Sequence, residues 1–387
     1  MHLLICNAGS TSLKLKLYDM PAERVLAECR MDRIGDAAGG DFSYRDAQRE
    51  HRESGVILEN YAAGLQKFLA CLGEEELRAV EAVGFKSVLS RGHTGVHRID
   101  EAVLQGMRDY LSVAPVHNRC YLEVIGVFRA LLPGVPLVGA FETSFHETLA
   151  PAAYTYAVPY AWQEEYGVRR YGYHGASHSY VADVLTERLG THYRAVSCHL
   201  GGSSSLAAIV NGRSRETSFG LSLQAGVPQS NRCGDIDPFI LFHMLQNGYT
   251  PEQLKTALEK ESGLKGISGL SGDLRDLQKA AAEGHARAAL AIEIYCREIA
   301  RYIGGYAALM NGLDAIAFTG GTGEHSDLVR AKVLAHFAYL GATPPGAAQP
   351  GQICEVSGED SRIRVFVIPA NEELGVARKT YAALHED

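Results

Sequence analysis

The sequence lacks several features that mark common classes of protein. Its eight cysteines are scattered, without a CxxC pair or a His/Cys cluster. This argues against a zinc site or a disulfide framework and indicates a reducing, cytoplasmic setting. No stretch reaches the roughly 18 apolar residues of a membrane span, and the N-terminus lacks a signal-peptide pattern. The composition, 46% hydrophobic and 21% charged, is that of a soluble globular protein.

Positive charge is also scarce, since the formal net charge is −8. Nucleic-acid binding is therefore not expected. An anionic ligand would have to be held by a local cluster of basic groups, because the overall field repels it.

A chain of 387 residues predicts two domains, and an internal echo supports this. "CNAGSTSLK" (6–14) has nearly the layout of "CHLGGSSSL" (198–206), about half a chain length later. Each stretch predicts strand, Gly/Ser turn, strand, and such turns leave backbone N–H groups available for a phosphate. The alternative is a pair of ordinary hairpins.

A third glycine turn, "TGGTGEH" (319–325), follows a buried strand but lacks the Lys-Ser/Thr ending of a P-loop.

The remaining chain predicts alternating strands and helices. A polar stretch with Gly39-Gly40 is interpreted as a surface excursion, Asp100 as a helix N-cap, and Asn211-Gly212 as a hairpin turn. The predicted strands are 2–6, 12–20, 24–31, 79–85, 136–142, 194–210 as a hairpin, 314–319 and 364–368, and the predicted helices include 56–71, 100–113, 121–132, 181–189, 251–263 and 274–312.

Four stretches combine groups that handle anions. "RRYGYHGASH" contains His174 and His178, "NRCGDIDP" contains Arg232, "APVHNR" places His117 in a proline-bounded loop, and "FETSFHETL" puts Glu142 at a strand end. Packing or capping remains an alternative for each histidine. A metal site at His174 and His178 lacks the adjacent glutamate of zinc proteases. Asp235 and Asp237 are expected to cap a helix and pair with arginines.

These stretches together resemble the acetate kinase family (acetate, propionate and butyrate kinases) of the sugar kinase–heat shock cognate–actin superfamily. The resemblance runs from "CNAGSTSLK" to "IPANEEL" and includes "FETSFHETLAP", "RRYGYHGASHSYV", "CHLGGSSSLAAIVNG", "RCGDIDP" and "AFTGGTGEH". It implies a two-domain α/β fold of the ribonuclease-H-like, actin/sugar-kinase type, duplicated around an interdomain cleft. The expected domains are 1–147 with the C-terminal helix 373–387, for substrate and phosphate, and 148–372, for nucleotide and dimerisation.

The resemblance also implies roles for individual residues. Asn7 and Glu372 match magnesium positions, and Lys14 matches a lysine of the ATP site. Arg232, His174 and His117 match groups around the transferred phosphoryl, and Glu142 matches a catalytic aspartate. The remaining nucleotide-binding positions that the resemblance implies are His199, Gly201, Gly202, Asp273, Arg275, Gly321, Gly323 and Glu324.

The implied reaction is attack of a carboxylate on the γ-phosphorus of ATP, with Mg²⁺ as cofactor. A carboxylate is already ionised at pH 7, so the reaction needs no general base. It needs in-line positioning of the reactants and positive charge around the transferred phosphoryl group. The expected partners are a small carboxylic acid and ATP/ADP, and a homodimer is expected by resemblance.

The sequence departs from the family within the expected substrate site. "GFKSVLSRG" (84–92) places Lys86 where the family has an arginine that contacts the substrate, and Arg91, five residues on, is the alternative substrate-binding residue. Lysine cannot supply a bidentate fork. Glu142 is one methylene longer than the family's aspartate. Three interpretations remain open: a kinase for a different or larger acid, an acetate or propionate kinase that tolerates the changes or uses another phosphoryl donor, and a non-catalytic regulator. An actin-like or chaperone-like ATPase is a more distant alternative.

Overall fold

The computed structural model describes residues 1–9, 11–87 and 89–385. Ser10 of the first predicted turn, Val88 of the "GFKSVLSRG" segment and the last two residues of the predicted C-terminal helix lie outside the described residues. The chain divides into two compact units, Met1–Glu147 with Asn371–Asp387, and Thr148–Ala370. The predicted assignment of substrate to one domain and of nucleotide and dimer contacts to the other stays a prediction.

Strands and helices alternate along both units. The strands are β1 (His2–Gly9), β2 (Ser12–Asp19), β3 (Arg24–Asp32), β4 (Gly40–Asp46), β5 (Glu50–Val56), β6 (Val80–Phe85), β7 (Val96–Arg98), β8 (Leu137–Ala140), β9 (Arg194–Leu200), β10 (Ser204–Val210), β11 (Arg213–Thr217), β12 (Ala315–Thr319), β13 (Cys354–Glu355) and β14 (Arg364–Val367). The α-helices are α1 (Tyr61–Leu72), α2 (Glu74–Arg78), α3 (Glu101–Asp109), α4 (Pro115–Leu131), α5 (Pro151–Tyr154), α6 (Ala161–Tyr166), α7 (Gly175–Leu189), α8 (Phe239–Gln246), α9 (Pro251–Thr256), α10 (Gly263–Ser268), α11 (Leu274–Ala282), α12 (Ala286–Leu309), α13 (Gly320–His325), α14 (Asp327–Ala335) and α15 (Glu372–His385).

The first unit is built on a mixed sheet in the order β5-β4-β3-β2-β1-β6-β8-β7. The predicted strands at 2–6, 12–20 and 24–31 are confirmed as the antiparallel run β1 to β3. β1 pairs on its other side with β6 in parallel, and β6 pairs with β8 in parallel. Because β1 lies in the middle of the sheet, its residues from Leu3 to Cys6 are all fully buried, which explains its continuous apolar sequence.

The polar stretch with Gly39-Gly40 is not a surface excursion, so that prediction is wrong. It forms β4 and β5, which extend the sheet beyond β3. Phe42 and Tyr44 alternate along β4 and are buried, with Tyr44 packed against Phe68 of α1. β5 is largely exposed and charged, as is common for an edge strand that must avoid further pairing.

The second unit repeats the strand order of the first. Its sheet runs β11-β10-β9-β12-β14-β13, with β9 to β11 antiparallel and β9, β12 and β14 parallel. Asn211 and Gly212, with φ of 53° and 77°, confirm the predicted hairpin turn between β10 and β11, because a two-residue turn of this type requires positive φ at both positions. The internal echo therefore corresponds to two equivalent hairpins, β1–β2 and β9–β10.

Helices pack on the sheets, and several of them begin at residues whose side chains cap the first turn. Asp100 confirms its predicted N-cap role by accepting a hydrogen bond from Val103 N at 2.9 Å. In the second unit, Ile316 and Phe318 of β12 belong to the same buried cluster as Ile299 and Ile303 of α12. Among the helices that the structure describes, none combines the length and apolar character needed to cross a membrane.

Candidate active site

The first hairpin brings two predicted site residues to one face of the first sheet. Asn7 of β1 pairs with Lys14 of β2 in the antiparallel register. Directly opposed residues project to the same side, with Cβ atoms about 5 Å apart. Lys16 lies two residues further along β2 and shares that face. This face therefore carries one amide and two ammonium groups.

Two glutamates at the start of α15 contact different partners in the first unit. Glu373 Oε1 accepts a hydrogen bond from Asn7 Nδ2 at 3.1 Å, and its Oε2 lies 3.9 Å from Lys16 Nζ. Glu372 Oε2 instead lies 2.7 Å from Lys86 Nζ. The carboxylate that contacts Asn7 is thus Glu373, which the sequence analysis did not single out. The pair of glutamates in one helical turn was the available signal.

Lys86 lies among carboxylates where the parallel strands of the first sheet end. It follows β6, Glu142 follows the neighbouring β8, and Lys86 Nζ lies 4.0 Å from Glu142 Oε2. Glu142 is only 4% exposed. Burial disfavours the ammonium charge, but attraction to Glu142 and Glu372 outweighs it and raises the pKa of Lys86 above its ordinary value. Lys86 therefore stays charged at neutral pH, and two carboxylates balance its charge.

The oxygen groups near Asn7 fit the requirements of Mg²⁺. Within the described ranges there is no group of three or more His, Cys, Asp or Glu side chains that could hold a metal ion. His174 and His178 therefore do not belong to such a group. Mg²⁺ does not need such a cage, because it keeps several waters and is held through one or two carboxylates plus substrate phosphates. Asn7 donates its amide N–H to Glu373, which leaves its carbonyl oxygen as the atom suited to a cation.

Arg91 lies between β6 and β7, and His117 lies further along the chain in α4. The prediction that His117 lies in a loop is wrong, because it is the third residue of α4. Pro115 begins that helix at a position whose N–H would have no helical partner. Arg91 is exposed, and its backbone N–H donates to Gly106 O at 2.9 Å.

In the second unit, Arg232 lies beside the turn of the second hairpin. Its Nη1 donates to Ser203 Oγ and to Gln229 Oε1, both at 3.1 Å. Desolvation lowers the pKa of Arg232, against the attraction of Glu259. Its two hydrogen-bond partners are neutral, and a largely buried guanidinium held by neutral groups is suited to binding an anion.

The second and third glycine stretches lie next to each other. Thr319 at the end of β12 is opposite His199 in β9. A Cβ placed on Gly201 would lie 4.0 Å from Gly321 N. Three predicted nucleotide-binding residues, His199, Gly201 and Gly321, are therefore close together in this unit.

The third glycine stretch is a short helix, α13, so its prediction as a turn is wrong. Gly320 begins it with φ of +76°, and a Cβ there would lie 2.7 Å from Leu200 O, so glycine is required. Arg330 Nη1 donates to Gly323 O at 2.6 Å and to Glu324 O at 2.9 Å. This buried guanidinium satisfies carbonyls that a helix end would leave without partners.

Asp273 and Arg275 pair with each other at the start of α11. Asp273 Oδ1 accepts a hydrogen bond from Arg275 N at 2.8 Å, and Asp273 Oδ2 forms an ion pair with Arg275 Nη2 at 2.6 Å. The segment packs closely on the Arg232 loop, since a Cβ on Gly272 would lie 2.6 Å from Ser230 O. Ser230 N in turn donates to Gly202 O at 3.2 Å, which links the segment to the second turn.

The predicted residues His174 and His199 stack on one another. Their ring centroids are 4.1 Å apart and their planes are inclined by 35°. His174 precedes α7 in a left-handed conformation with φ of 56°, and its Nδ1 lies 2.8 Å from Ser205 Oγ. His199 Nδ1 lies 2.8 Å from Ser177 Oγ. Sequence analysis missed both serines, because a serine in a strand or helix carries no signal of its partner.

Comparison with known proteins identifies the chain's relatives. A sequence model of the Acetokinase family matches residues 2–378. An acetate kinase of Methanosarcina acetivorans is 38% identical over 98% of this chain and 96% of its own length, and one of Carboxydothermus hydrogenoformans is 40% identical over 98% of both. The crystal structure of Porphyromonas gingivalis acetate kinase superposes with a TM-score of 0.88 at 32% identity, covering 99% of each chain. A propionate kinase of Francisella tularensis gives 0.88 at 29% identity over 98% of each.

The repeated strand order of the two units and these matches define a phosphotransferase with a duplicated α/β fold, which confirms that part of the predicted fold class. The chain belongs to the acetokinase family. It is an ATP-dependent kinase whose phosphoryl acceptor is a carboxyl group, which confirms the predicted class of enzyme.

Asn118 of α4 holds the backbone at Leu89 and at Met107 of α3, so its loss should destabilise the first unit. Its buried Nδ2 donates to Leu89 O at 2.9 Å and to Met107 O at 2.8 Å. Replacing Asn118 with Ala leaves two buried carbonyls unpaired, so we expect the melting temperature to fall by about 5 °C. Differential scanning calorimetry measures this. The exposed Asn247, replaced with Ala, is the control and should shift it by about 1 °C or less; equal shifts would contradict the role of Asn118.

Proposed function

We propose that this enzyme phosphorylates a carboxylic acid other than, or larger than, acetate. The observation that carries this proposal is the position of Lys86, 2.7 Å from Glu372 and 4.0 Å from Glu142. In this proposal Lys86, and not the exposed Arg91, takes the place of the family's substrate arginine.

The chemistry of Lys86 differs from that of an arginine in two respects that matter for an acid. An ammonium group cannot bind a carboxylate with two parallel hydrogen bonds. In addition, two carboxylates already balance the charge of Lys86. A small acid such as acetate has little besides its carboxylate to bind, so the weaker grip favours an acid with additional polar or apolar groups.

We propose that phosphoryl transfer itself follows the in-line course implied by the family. The acid needs no base, because its carboxylate is ionised at neutral pH. Arg232, His174 and His117 would hold the oxygens of the moving phosphoryl group, and Lys14 would bind the ATP phosphates. Glu142 would orient Lys86. Loss of Arg232 should lower kcat on the order of 100-fold or more, as for other groups that stabilise developing charge.

We propose Mg²⁺ as the divalent metal. Asn7 Oδ1 and Glu372 would hold it, while Glu373 orients Asn7 by accepting its amide N–H. A bound Mg²⁺ would neutralise charge on the ATP phosphates. Glu372 would then share its charge between the metal and Lys86, which would leave Lys86 more available to the acid.

The second candidate is an acetate or propionate kinase that tolerates these substitutions. Identities of 38–40% with curated acetate kinases over nearly the whole chain favour it. The two candidates differ in one measurable property, the preference among acids.

An acid panel distinguishes the candidates. ATP-dependent formation of acyl phosphate, trapped by hydroxylamine, is measured for acetate, propionate, butyrate and hydroxylated or branched acids. We expect a larger acid to exceed acetate in kcat/KM by about tenfold or more, since each additional buried group is worth about that factor. In the Lys86→Arg/Glu142→Asp double variant, acetate should gain and the preferred acid should lose.

A matched control for the double variant is Lys67→Arg/Glu53→Asp, an ion pair of 2.6 Å elsewhere in the first unit. It should leave the acid preference unchanged. A panel in which acetate is as good as any other acid contradicts the proposal and supports the second candidate. ATP binding without transfer to any acid would instead support a regulator.

Metal binding is tested without turnover by titrating Mn²⁺ in the presence of ADP and following free Mn²⁺ by electron paramagnetic resonance. We expect Asn7→Ala, Glu372→Gln and Glu373→Gln each to weaken binding by about 10- to 100-fold, as loss of a ligand or its partner does. Glu75→Gln, at an exposed position of α2, is the control. Unchanged affinity in the three variants would refute this metal site.

We also propose that the enzyme is a homodimer through its second unit, and the exposed apolar side chains of α8 support this. Phe239 is 72% and Phe242 57% exposed, which is unusual for adjacent aromatic residues on a monomer. Phe239→Glu/Phe242→Glu should convert a dimer to a monomer in size-exclusion chromatography with light scattering. Tyr339→Glu, at another exposed aromatic, should not. A wild-type protein that is monomeric at micromolar concentration excludes the proposal.

A further inference from the structure

One serine hydroxyl joins two histidines of the second unit in a chain of hydrogen bonds. Ser205 Oγ lies 2.8 Å from His174 Nδ1 and 2.8 Å from His178 Nε2. The other ring nitrogen of His178, Nδ1, lies 2.9 Å from Ser197 Oγ. Ser197, Ser205 and His178 are completely buried. The chain therefore runs from His174 through Ser205 and His178 to Ser197 in the interior.

Two arrangements keep every hydrogen bond of this chain and also use the Ser205 hydroxyl proton within it. A serine hydroxyl has one proton to donate, and a neutral imidazole has one N–H. If Ser205 donates to His174 Nδ1, it must accept from His178 Nε2, and His178 Nδ1 then accepts from Ser197. If His174 Nδ1 donates to Ser205 and Ser205 in turn donates to His178 Nε2, every bond reverses. The protons on the two rings are thus coupled through Ser205.

We propose that Ser205 is a positioning residue that fixes the proton of His174 on Nε2. The inference rests on the proposed function, in which His174 binds the transferred phosphoryl. An anionic oxygen requires a donor, and a neutral His174 whose Nδ1 accepts from Ser205 has its proton on Nε2. Binding of the phosphoryl group therefore selects the arrangement in which Ser205 donates to His174. The same choice fixes the directions of the hydrogen bonds of His178 to Ser205 and to Ser197.

Neighbouring rings hold the plane of the His174 ring, and the hydrogen bond to Ser205 sets which edge of the ring faces the serine. The ring stacks on His199 and lies 5.1 Å from the ring of Phe219, centroid to centroid. A ring flip would exchange Nδ1 for a carbon at Ser205 and break the hydrogen bond. The fully buried His178 enters this argument as a neutral imidazole, whose ring relays a proton position without carrying a charge.

Steady-state kinetics of Ser205→Ala and Ser205→Thr test the proposal. We expect Ser205→Ala to lower kcat by about 10- to 100-fold, as loss of a partner that orients a catalytic group does. KM for ATP should stay within about threefold, because ground-state binding does not need the Nε2 proton. Threonine keeps the hydroxyl and should restore most of kcat. Ser197→Ala, at the far end of the chain, should have a smaller effect of the same kind.

Ser218→Ala is the control for a purely structural effect. Ser218 is also fully buried, and its Oγ accepts a hydrogen bond from Leu206 N, next to Ser205, at 2.8 Å. It should lower thermal stability without changing kcat. If Ser205→Ala behaves like Ser218→Ala, with kcat intact, the proposal is overturned.

Nuclear magnetic resonance of ¹⁵N-histidine-labelled wild-type enzyme gives a readout that does not depend on folding of a variant. With ADP, Mg²⁺ and aluminium fluoride bound, His174 and His178 should both carry their protons on Nε2. A neutral His178 with its proton on Nδ1 would overturn the coupling. His174→Ala separates the two proposals: unchanged turnover there refutes the role of His174 itself, whereas low turnover there with a normal Ser205→Ala refutes only the role of Ser205.

Discussion

Parallel pairing beside a central strand is the constraint on which the rest of each unit depends. β1 pairs with β6, and β9 pairs with β12. Because neighbouring parallel strands end at the same edge of a sheet, residues that follow them converge there. In the first unit β6 also pairs in parallel with β8, and Lys86 and Glu142, which follow these two strands, lie 4.0 Å apart. In the second unit, the pairing of β9 with β12 brings Thr319 beside His199. In both units, parallel pairing of neighbouring strands brings polar residues at the strand ends close together.

The basic residues of the two units have different electrostatic surroundings. In the first, Lys86 is balanced by Glu142 and Glu372, so the group that should meet an acid is largely neutralised by the protein's own carboxylates. In the second, Arg232 is held by a serine hydroxyl and an amide oxygen, which do not neutralise it. The second unit is therefore prepared for an anion. In the first, Glu372, which pairs with Lys86, is also the carboxylate that we propose as a metal ligand.

Sequence reasoning succeeded where the pattern is local or repeated. The two hairpins, the N-cap at Asp100 and the turn at Asn211-Gly212 follow from short-range rules. It failed where neighbours in space decide. β4 and β5 are polar enough to suggest a loop, and only pairing with β3 and burial of alternate side chains make them strands. His117 belongs to a helix because Pro115 can begin one as well as it can bound a loop. Periodicity does not decide between these outcomes.

The sequence by itself determined the duplicated α/β fold, the family and the residue types available for phosphoryl transfer, because strand patterns, glycine turns and ordered motifs are written locally. Only the tertiary structure decided the pairings: Asn7 with Glu373, Lys86 with Glu372, and His174 with His178 through Ser205. These contacts join residues far apart in the chain, and their partners are common side chains. Their selection depends on sheet register and helix packing, which no spacing along the chain encodes.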